Sequence, residues 1–269
     1  TVDYSKNQEP VYGVTFSQDF AQEMGLDWQE AFLATLEDLG VKNLRLVAYW
    51  KRIEQNQDQF DFLDLDWQIS QAKLHQAQII LAIGRRTPRW PECHEPNWVK
   101  NLSSSQQEER LSLLLEKIVE RYRDEKTIVS WQVENEPLLN MFGVCPKANR
   151  DLLKKEVALV KSLDSRPILI SDSGELSSWL RTASIADYFG TTMYRIIWNP
   201  WVGYYTHALP PAYYYYKAKA VGFLLPNVKK FIVSELQAEP WSQQPFYTLS
   251  VERQKEIFGL DKFKKNLLL

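Results

Sequence analysis

Short apolar runs rich in β-branched residues recur along the chain, each followed by a loop and an amphipathic stretch. Runs of this length predict strands, and apolar residues spaced three and four apart predict helices. Strands are predicted over residues 12–16, 43–48, 78–83, 128–133, 167–171, 188–194 and 230–234. Helices are predicted between them, over 27–39, 63–75, 106–123 and 148–163. Strands that alternate with helices indicate a parallel sheet covered by helices.

The length of 269 residues favours a single catalytic domain, residues 1–269, folded as a closed (β/α)8 TIM-type barrel. A Rossmann-type site is not expected, because Gly13 stands alone after the first strand without a Gly-rich phosphate loop. A helix predicted over 250–268 follows the seventh strand. An eighth strand and helix would need about 25 to 40 further residues. We therefore expect a barrel that lacks its eighth strand and helix and is incomplete at its C-terminus.

Composition narrows the expected partners. The net charge of −2 gives no electrostatic reason to expect nucleic acid or an anionic membrane. No apolar run approaches the ~18 residues that span a bilayer. The chain has 10 Trp, 13 Tyr and 12 Phe, several of them beside Pro and Gly in predicted loops, which suits a cleft that stacks on sugar rings or other flat apolar faces. We expect an oligo- or polysaccharide partner and no cofactor, while the oligomeric state is left open.

Two predicted strands end in carboxylates. The fourth ends in Glu134-Asn135-Glu136-Pro137 and the seventh in Ser234-Glu235-Leu236. Active sites of such barrels lie at the C-terminal ends of the strands. A carboxylate is costly to place there unless it is paired or used. Cleavage of a glycosidic bond needs one carboxyl to protonate the leaving oxygen and a second to attack the sugar or activate water.

The combination of Asn135-Glu136-Pro137 and Glu235 resembles the large clan of retaining glycosidases with (β/α)8 barrels. That clan includes the family 5 cellulases and mannanases, the family 39 xylosidases and the family 35 and 42 β-galactosidases. The resemblance covers residues from about 11 to 241. It implies cleavage of β-glycosidic bonds with retention by double displacement, with Glu136 as acid/base and Glu235 as nucleophile. Asn135 would then bind the sugar 2-hydroxyl.

Four further residues are candidates for substrate binding. Arg45 lies inside the second predicted strand, where a buried guanidinium needs an anion. The clan places an Arg there near the nucleophile; an outward Arg that caps a helix is the alternative. Tyr194 resembles the clan's Tyr that hydrogen-bonds the nucleophile, with simple packing as the alternative. Trp90 and Trp241 follow the third and seventh strands and are either sugar platforms or packing residues.

Some features depart from any one family. The segment from Gln132 to Glu136 reads much like the family 35 β-galactosidases, whereas Pro137 fits the cellulase-like families, so the exact family is left open. Thr192 stands where family 5 members often have His.

The missing eighth strand would remove the Trp that usually forms the floor of the main sugar subsite. A carbohydrate-binding pseudoenzyme on the same barrel is therefore the alternative function. A metal-dependent hydrolase is not expected, because no two histidines have ligand spacing.

The two cysteines bear on the compartment. Cys93 and Cys145 follow the third and fourth predicted strands, which are neighbours in a barrel. A disulfide between these loops would imply an oxidising compartment, and two free thiols are the alternative. The chain begins at Thr1, so a leader or anchor removed before this residue is compatible with the sequence. A secreted or cell-envelope location is favoured over a cytoplasmic one.

Overall fold

The structure is a computed structural model that describes residues 11–199, 201–237 and 244–267. Its strands are β1 (Val14–Thr15), β2 (Asn43–Val47), β3 (Gln78–Ile83), β4 (Ile128–Val133), β5 (Ile168–Asp172), β6 (Tyr188–Met193), β7 (Ile196–Asn199), β8 (Gly203–Thr206) and β9 (Lys230–Leu236). Its α-helices are α1 (Gln18–Glu23), α2 (Trp28–Glu37), α3 (Trp50–Ile53), α4 (Leu63–Leu74), α5 (Ser104–Tyr122), α6 (Arg150–Leu163), α7 (Leu180–Ala183), α8 (Pro211–Leu224), α9 (Val251–Phe258) and α10 (Leu260–Leu267). None of these helices is long and apolar enough to cross a membrane.

Seven strands form one parallel sheet in the order β1-β2-β3-β4-β5-β6-β9. The sheet curves into a nearly closed barrel with helices between successive strands. Within the described ranges, no strand joins the outer edge of β1 to the outer edge of β9. The predicted TIM-type barrel without one strand is therefore confirmed. Strands β3 and β4 have the bounds predicted from the sequence.

Two elements differ from the prediction. Strands β7 and β8 form an antiparallel hairpin between β6 and α8, which was read as a loop. The single helix predicted over 250–268 is two helices in the described part, α9 and α10. The break lies at Gly259, whose ψ of 174° is extended rather than helical.

The core lies between the barrel and its helices. Ile79, Leu81 and Ile83 of β3 are fully buried, as is Trp131 of β4. Because both faces of a parallel strand are covered, such strands read as continuous apolar runs. Helix α5 begins with a capping box in which the Ser103 hydroxyl and the Gln106 side chain satisfy exposed backbone groups reciprocally. The local sequence thus fixes where the helices start and which faces they bury.

Cys93 and Cys145 form a disulfide with a Cα–Cα distance of 5.3 Å. The bridge links the loop after β3 to the loop after β4 across 52 residues of sequence. Of the two alternatives left by the sequence, the structure therefore contains the bridge. Both loops lie at the C-terminal end of the barrel, where the strand-end carboxylates also lie.

Candidate active site

The Glu235 carboxylate is held by two donors from other strands. The Arg45 Nη1 atom donates to Glu235 Oε1 at 2.8 Å, and the Tyr194 hydroxyl donates to Glu235 Oε2 at 2.9 Å. Both contacts were expected from the sequence and both are present. Each carboxylate oxygen therefore has a hydrogen-bond donor, and the guanidinium supplies a compensating charge. Such an arrangement suits an ionised carboxylate.

Arg45 is buried inside the barrel rather than directed outward. Its Nε atom donates to Gln132 Oε1 at 2.6 Å, and its Nη2 atom donates to Asn135 Oδ1 at 2.8 Å. Together with Glu235, these contacts use all three nitrogens of the guanidinium. The alternative of an outward, helix-capping Arg is therefore wrong. Because the guanidinium is planar and bonded on three sides, it also fixes the positions of Gln132, Asn135 and Glu235.

The amide of Asn135 has one defined orientation. Its Oδ1 atom accepts from Arg45, from the Ser171 hydroxyl at 2.8 Å and from Gln132 Nε2 at 3.2 Å. Its Nδ2 atom donates to Glu92 Oε2 at 3.1 Å. Since three donors surround one end of the amide, the other end must be the NH₂ group.

Glu136 lies directly after β4 and is buried. Thr192 Oγ1 is 3.2 Å from Glu136 Oε1 and donates to it, and the backbone N–H of Glu136 donates to Ser171 Oγ at 3.1 Å. Burial, followed by repulsion from the negative charge of Glu235, raises the pKa of Glu136 well above its usual value. The raised pKa favours the protonated form of Glu136, which is the form that a general acid requires.

Tyr194 remains a hydrogen-bond donor over the neutral pH range. Burial and the nearby charge of Glu235 raise the pKa of its hydroxyl well above the usual value. The phenol proton is therefore retained and directed at Glu235 Oε2. Because Tyr194 makes this hydrogen bond, the alternative that it only packs against its neighbours is wrong.

Glu134, although next to Asn135, is directed away from Glu235. Its two oxygens accept the backbone N–H groups of Arg85 at 2.7 Å and Arg86 at 2.6 Å. Gly84 has a φ of 120°, and a Cβ atom there would lie 2.3 Å from Glu134 Oε1, so only glycine fits. Burial raises the pKa of Glu134 to about 7. Glu134 therefore shapes the end of β3 and is not one of the reacting pair.

Glu156 of α6 lies in the same buried region as Glu134. Burial and repulsion by Glu134 raise the pKa of Glu156 well above its usual value. Its Oε2 atom is buried and has no hydrogen-bond partner among the residues that the structure describes. Because the folded-state pKa of Glu156 is above the unfolded one, the contribution of Glu156 to stability is greatest at acidic pH and falls as pH rises.

Glu156→Gln is therefore expected to raise the melting temperature by a few degrees at pH 8 and to change it little at pH 4.5. Glutamine keeps the shape of the side chain and has no proton to lose. Thermal unfolding followed by circular dichroism at the two pH values measures the effect. Glu120→Gln, at an exposed position of α5, is the control and should change neither value. An equal effect of Glu156→Gln at both pH values would contradict the assignment.

Sequence reasoning missed two members of the site. Glu92 follows Trp90-Pro91 in the loop after β3, and Ser171 lies within β5. Burial, followed by repulsion from Glu235, raises the pKa of Glu92 to about 8. A carboxylate in a loop that follows a barrel strand is the signal that could have identified Glu92. A serine that follows three apolar residues of a buried strand is the corresponding signal for Ser171.

Of the two aromatic candidates, Trp90 lies on the surface in the loop after β3, and Trp241 is outside the part of the chain that the structure describes. Trp90 is 64% exposed, with its ring 5.6 Å from that of Phe142. Trp90 also lines a surface pocket of about 670 Å³ together with Lys51 and Arg52. The role of Trp90 as a sugar platform stays a prediction.

A family model for cellulase, glycosyl hydrolase family 5, matches residues 4–210. The chain belongs to glycosyl hydrolase family 5. This confirms the clan expected from the strand-end motifs and decides the family that the sequence left open. A β-galactosidase, BgaA of Clostridium cellulovorans, is 24% identical over 164 residues, which are 54% of this chain and 25% of that protein.

Solved structures show the same fold at low sequence identity. A family 5, subfamily 18 hydrolase from Streptomyces cattleya, in complex with GlcNAc, has a TM-score of 0.55 and 12% identity, covering 70% of this chain and 52% of that one. A glycosylated family 10 endo-β-1,4-xylanase from Gloeophyllum trabeum has a TM-score of 0.57 and 14% identity, covering 87% and 72%. The chain thus spans about a quarter of the curated relative and half of the first of these structures.

Proposed function

We propose that this protein hydrolyses β-glycosidic bonds with retention of configuration by double displacement. The observation that carries the proposal is the contrast between the two carboxyls. Glu235 receives a guanidinium and a phenol donor, whereas Glu136 is buried and its pKa is raised by burial and by the charge of Glu235. Where the surroundings favour the protonated form of one carboxyl and the ionised form of the other, the first can act as the acid and the second as the nucleophile. We expect the two groups ~5 to 6 Å apart, as retention requires.

In the first step, Glu235 attacks the anomeric carbon while the bond to the leaving oxygen breaks. The proton of Glu136 passes to that oxygen, leaving a glycosyl ester on Glu235 and a carboxylate on Glu136. The ester has no negative charge, so the repulsion that raised the pKa of Glu136 is removed. Glu136 can then take a proton from water, which attacks the anomeric carbon and releases Glu235.

The surrounding residues orient the sugar and the nucleophile. The NH₂ group of Asn135 is the donor available for the sugar 2-hydroxyl, because its carbonyl end is occupied by protein donors. Arg45 and Tyr194 hold Glu235 for attack. Because Arg45 and Tyr194 are already held in place, their hydrogen bonds to Glu235 need little rearrangement during the reaction.

The proposed substrate is an oligo- or polysaccharide. The exposed Trp90 beside the pocket offers an indole face on which a pyranose ring can stack. The names of the relatives, a β-galactosidase and an endo-β-1,4-xylanase, support β-linked sugars as the class to test. The Cys93–Cys145 disulfide supports the proposal of a secreted or cell-envelope location, since disulfides persist in oxidising compartments.

The proposal is tested with 4-nitrophenyl β-galactoside, β-glucoside, β-mannoside and β-xyloside, together with unmodified polysaccharides. We expect hydrolysis of at least one β-glycoside, with the β-anomer as the first product in proton NMR. The corresponding α-glycosides are the control and should not react. A first product of α configuration would contradict retention. Sugar binding without any turnover would instead support the pseudoenzyme alternative.

A further inference from the structure

Glu92 is a third carboxyl at the candidate active site, and the mechanism above does not use it. Its side chain is only 6% exposed. Its Oε2 atom accepts a hydrogen bond from Asn135 Nδ2 at 3.1 Å and lies 3.9 Å from Arg86 Nε. Buried carboxyls are costly, so one placed beside a reacting pair requires a physical explanation.

The loop after β3 holds Glu92 in a tight turn. The backbone N–H of Glu92 donates to Arg89 O at 2.7 Å, and the N–H of Thr87 donates to Glu92 O at 2.8 Å. Both Arg89 and Glu92 have positive φ, 89° and 74°. Non-glycine residues adopt this conformation at a cost and persist in it where surrounding structure enforces it.

The loop after β4 encloses the same turn from the other side. Cys93, directly after Glu92, is bridged to Cys145. Gly143 lies against the Glu92 side chain so closely that a Cβ atom on Gly143 would be 2.8 Å from the Glu92 Cβ. The disulfide at the next residue and the contact with Gly143 therefore both hold the Glu92 side chain in place. The position of Glu92 is fixed by tertiary structure rather than by the turn alone.

The charged groups that act on Glu92 come from three parts of the barrel. Glu235 of β9 repels its negative charge, whereas Arg86 after β3 and Arg45 of β2 attract it. Glu136 after β4 is affected in turn, since the negative charge of Glu92 helps to raise the pKa of Glu136. Burial and the charge of Glu235 raise the pKa of Glu92 itself to about 8.

We propose that Glu92 is a positioning residue of the glycosidase reaction: it orients the Asn135 amide and, when ionised, its charge keeps the proton on Glu136. This inference rests on the proposed function, since it assigns Glu136 as the general acid. The first task depends on an acceptor atom at position 92. The second depends on a negative charge there. Substitutions can therefore separate the two tasks.

Glu92→Gln keeps an acceptor for Asn135 Nδ2 and removes the charge. With the most reactive nitrophenyl glycoside, kcat/KM at pH 6 should stay clearly above that of the Glu92→Ala variant. The alkaline limb of the kcat/KM profile should move to lower pH by roughly one unit, because Glu136 loses a neighbouring negative charge. An alkaline limb equal to that of the wild type would overturn the electrostatic task.

Glu92→Ala removes both the acceptor and the charge. We expect kcat/KM at pH 6 to fall about 10- to 100-fold because Asn135 is no longer held, and the alkaline limb to shift as in Glu92→Gln. Recovery of kcat/KM by glutamine identifies the acceptor as the reason for the loss. Wild-type kcat/KM in the alanine variant would overturn the positioning task. Glu95→Gln, in the same loop and paired with Arg85, is the matched control and should keep the wild-type alkaline limb.

A measurement without substrate keeps this test separate from the proposed function. Because the folded-state pKa of Glu92 is above the ordinary value of 4.5, its contribution to stability is full below that pH and is lost as pH rises to about 8. The melting temperature of Glu92→Gln relative to wild type should therefore increase between pH 5 and pH 8. A constant difference would overturn the charge assignment of Glu92. Absence of hydrolysis in the wild type, with this increase present, would reject the proposed function alone.

Discussion

Replacing Glu235 by glutamine is expected to lower the hydrolysis of aryl β-glycosides by roughly 10⁴-fold or more. The amide cannot attack the anomeric carbon, so no glycosyl ester forms. The glutamine oxygen still accepts a hydrogen bond from Arg45, so the protein should fold, with a lower free energy of unfolding because the buried Arg45 loses its counter-charge. Steady-state kinetics and thermal unfolding of the same preparation measure the two effects. Glu109→Gln, on the exposed surface of α5, is the control.

Glu136→Gln tests the other half of the pair through its dependence on the leaving group. A dinitrophenyl leaving group needs little protonation, so its departure should be slowed far less than that of an alkyl alcohol. The glycosyl ester should then accumulate, because the base that activates water is missing. Equal losses for both leaving groups would contradict the acid role of Glu136.

Covalent labelling locates the nucleophile directly. A 2-deoxy-2-fluoro glycoside with a dinitrophenyl leaving group should label Glu235, and peptide mass spectrometry should find the label there. Glu239 follows in the same segment and lies outside the described residues. A label on Glu239 would mean that the wrong carboxylate was chosen.

The fold was predictable where burial on both faces leaves a clear pattern. Strand β3 consists of apolar residues bounded by polar ones, and its predicted limits are the observed ones. At the edge of the sheet the pattern was weaker: the first strand was predicted over 12–16, but β1 is only Val14–Thr15, and Tyr12 is 65% exposed. The hairpin of β7 and β8 directly follows β6, so its apolar residues were read as a loop after that strand.

The candidate site was predictable where a reactive side chain ends a strand. Glu136 follows β4 and Glu235 lies in β9, and both were predicted from their places at strand ends together with the resemblance to the glycosidase clan. Glu92 is placed by a turn with positive φ, a disulfide and a contact with Gly143. Those contacts join residues about 50 positions apart and leave no periodic signal in the sequence. Strand ends and the family resemblance therefore point to the candidate pair, but they do not reveal the residue that contacts Asn135 from the loop after β3.

Arg45→Met is expected to have the second largest effect, on both activity and stability. The guanidinium contacts Glu235, Gln132 and Asn135, and the Arg45 side chain is only 6% exposed. Its removal leaves the Glu235 carboxylate without a buried counter-charge, which typically costs about 3–5 kcal/mol of unfolding free energy. Loss of one such electrostatic contact also lowers kcat by about 10²- to 10³-fold. Urea unfolding and kinetics on the nitrophenyl glycoside measure these effects.

A double-mutant cycle shows whether the cost arises from the ion pair. In the Glu235→Gln background no carboxylate is left unpaired, so Arg45→Met should destabilise the protein by clearly less than it does in the wild type. Arg121→Met is the matched control, because Arg121 pairs with Asp66 at the surface and its side chain is 45% exposed. Its cost should stay near or below about 1 kcal/mol. Equal costs of Arg45→Met in both backgrounds would show that Arg45 stabilises the barrel through Gln132 and Asn135 rather than through the nucleophile.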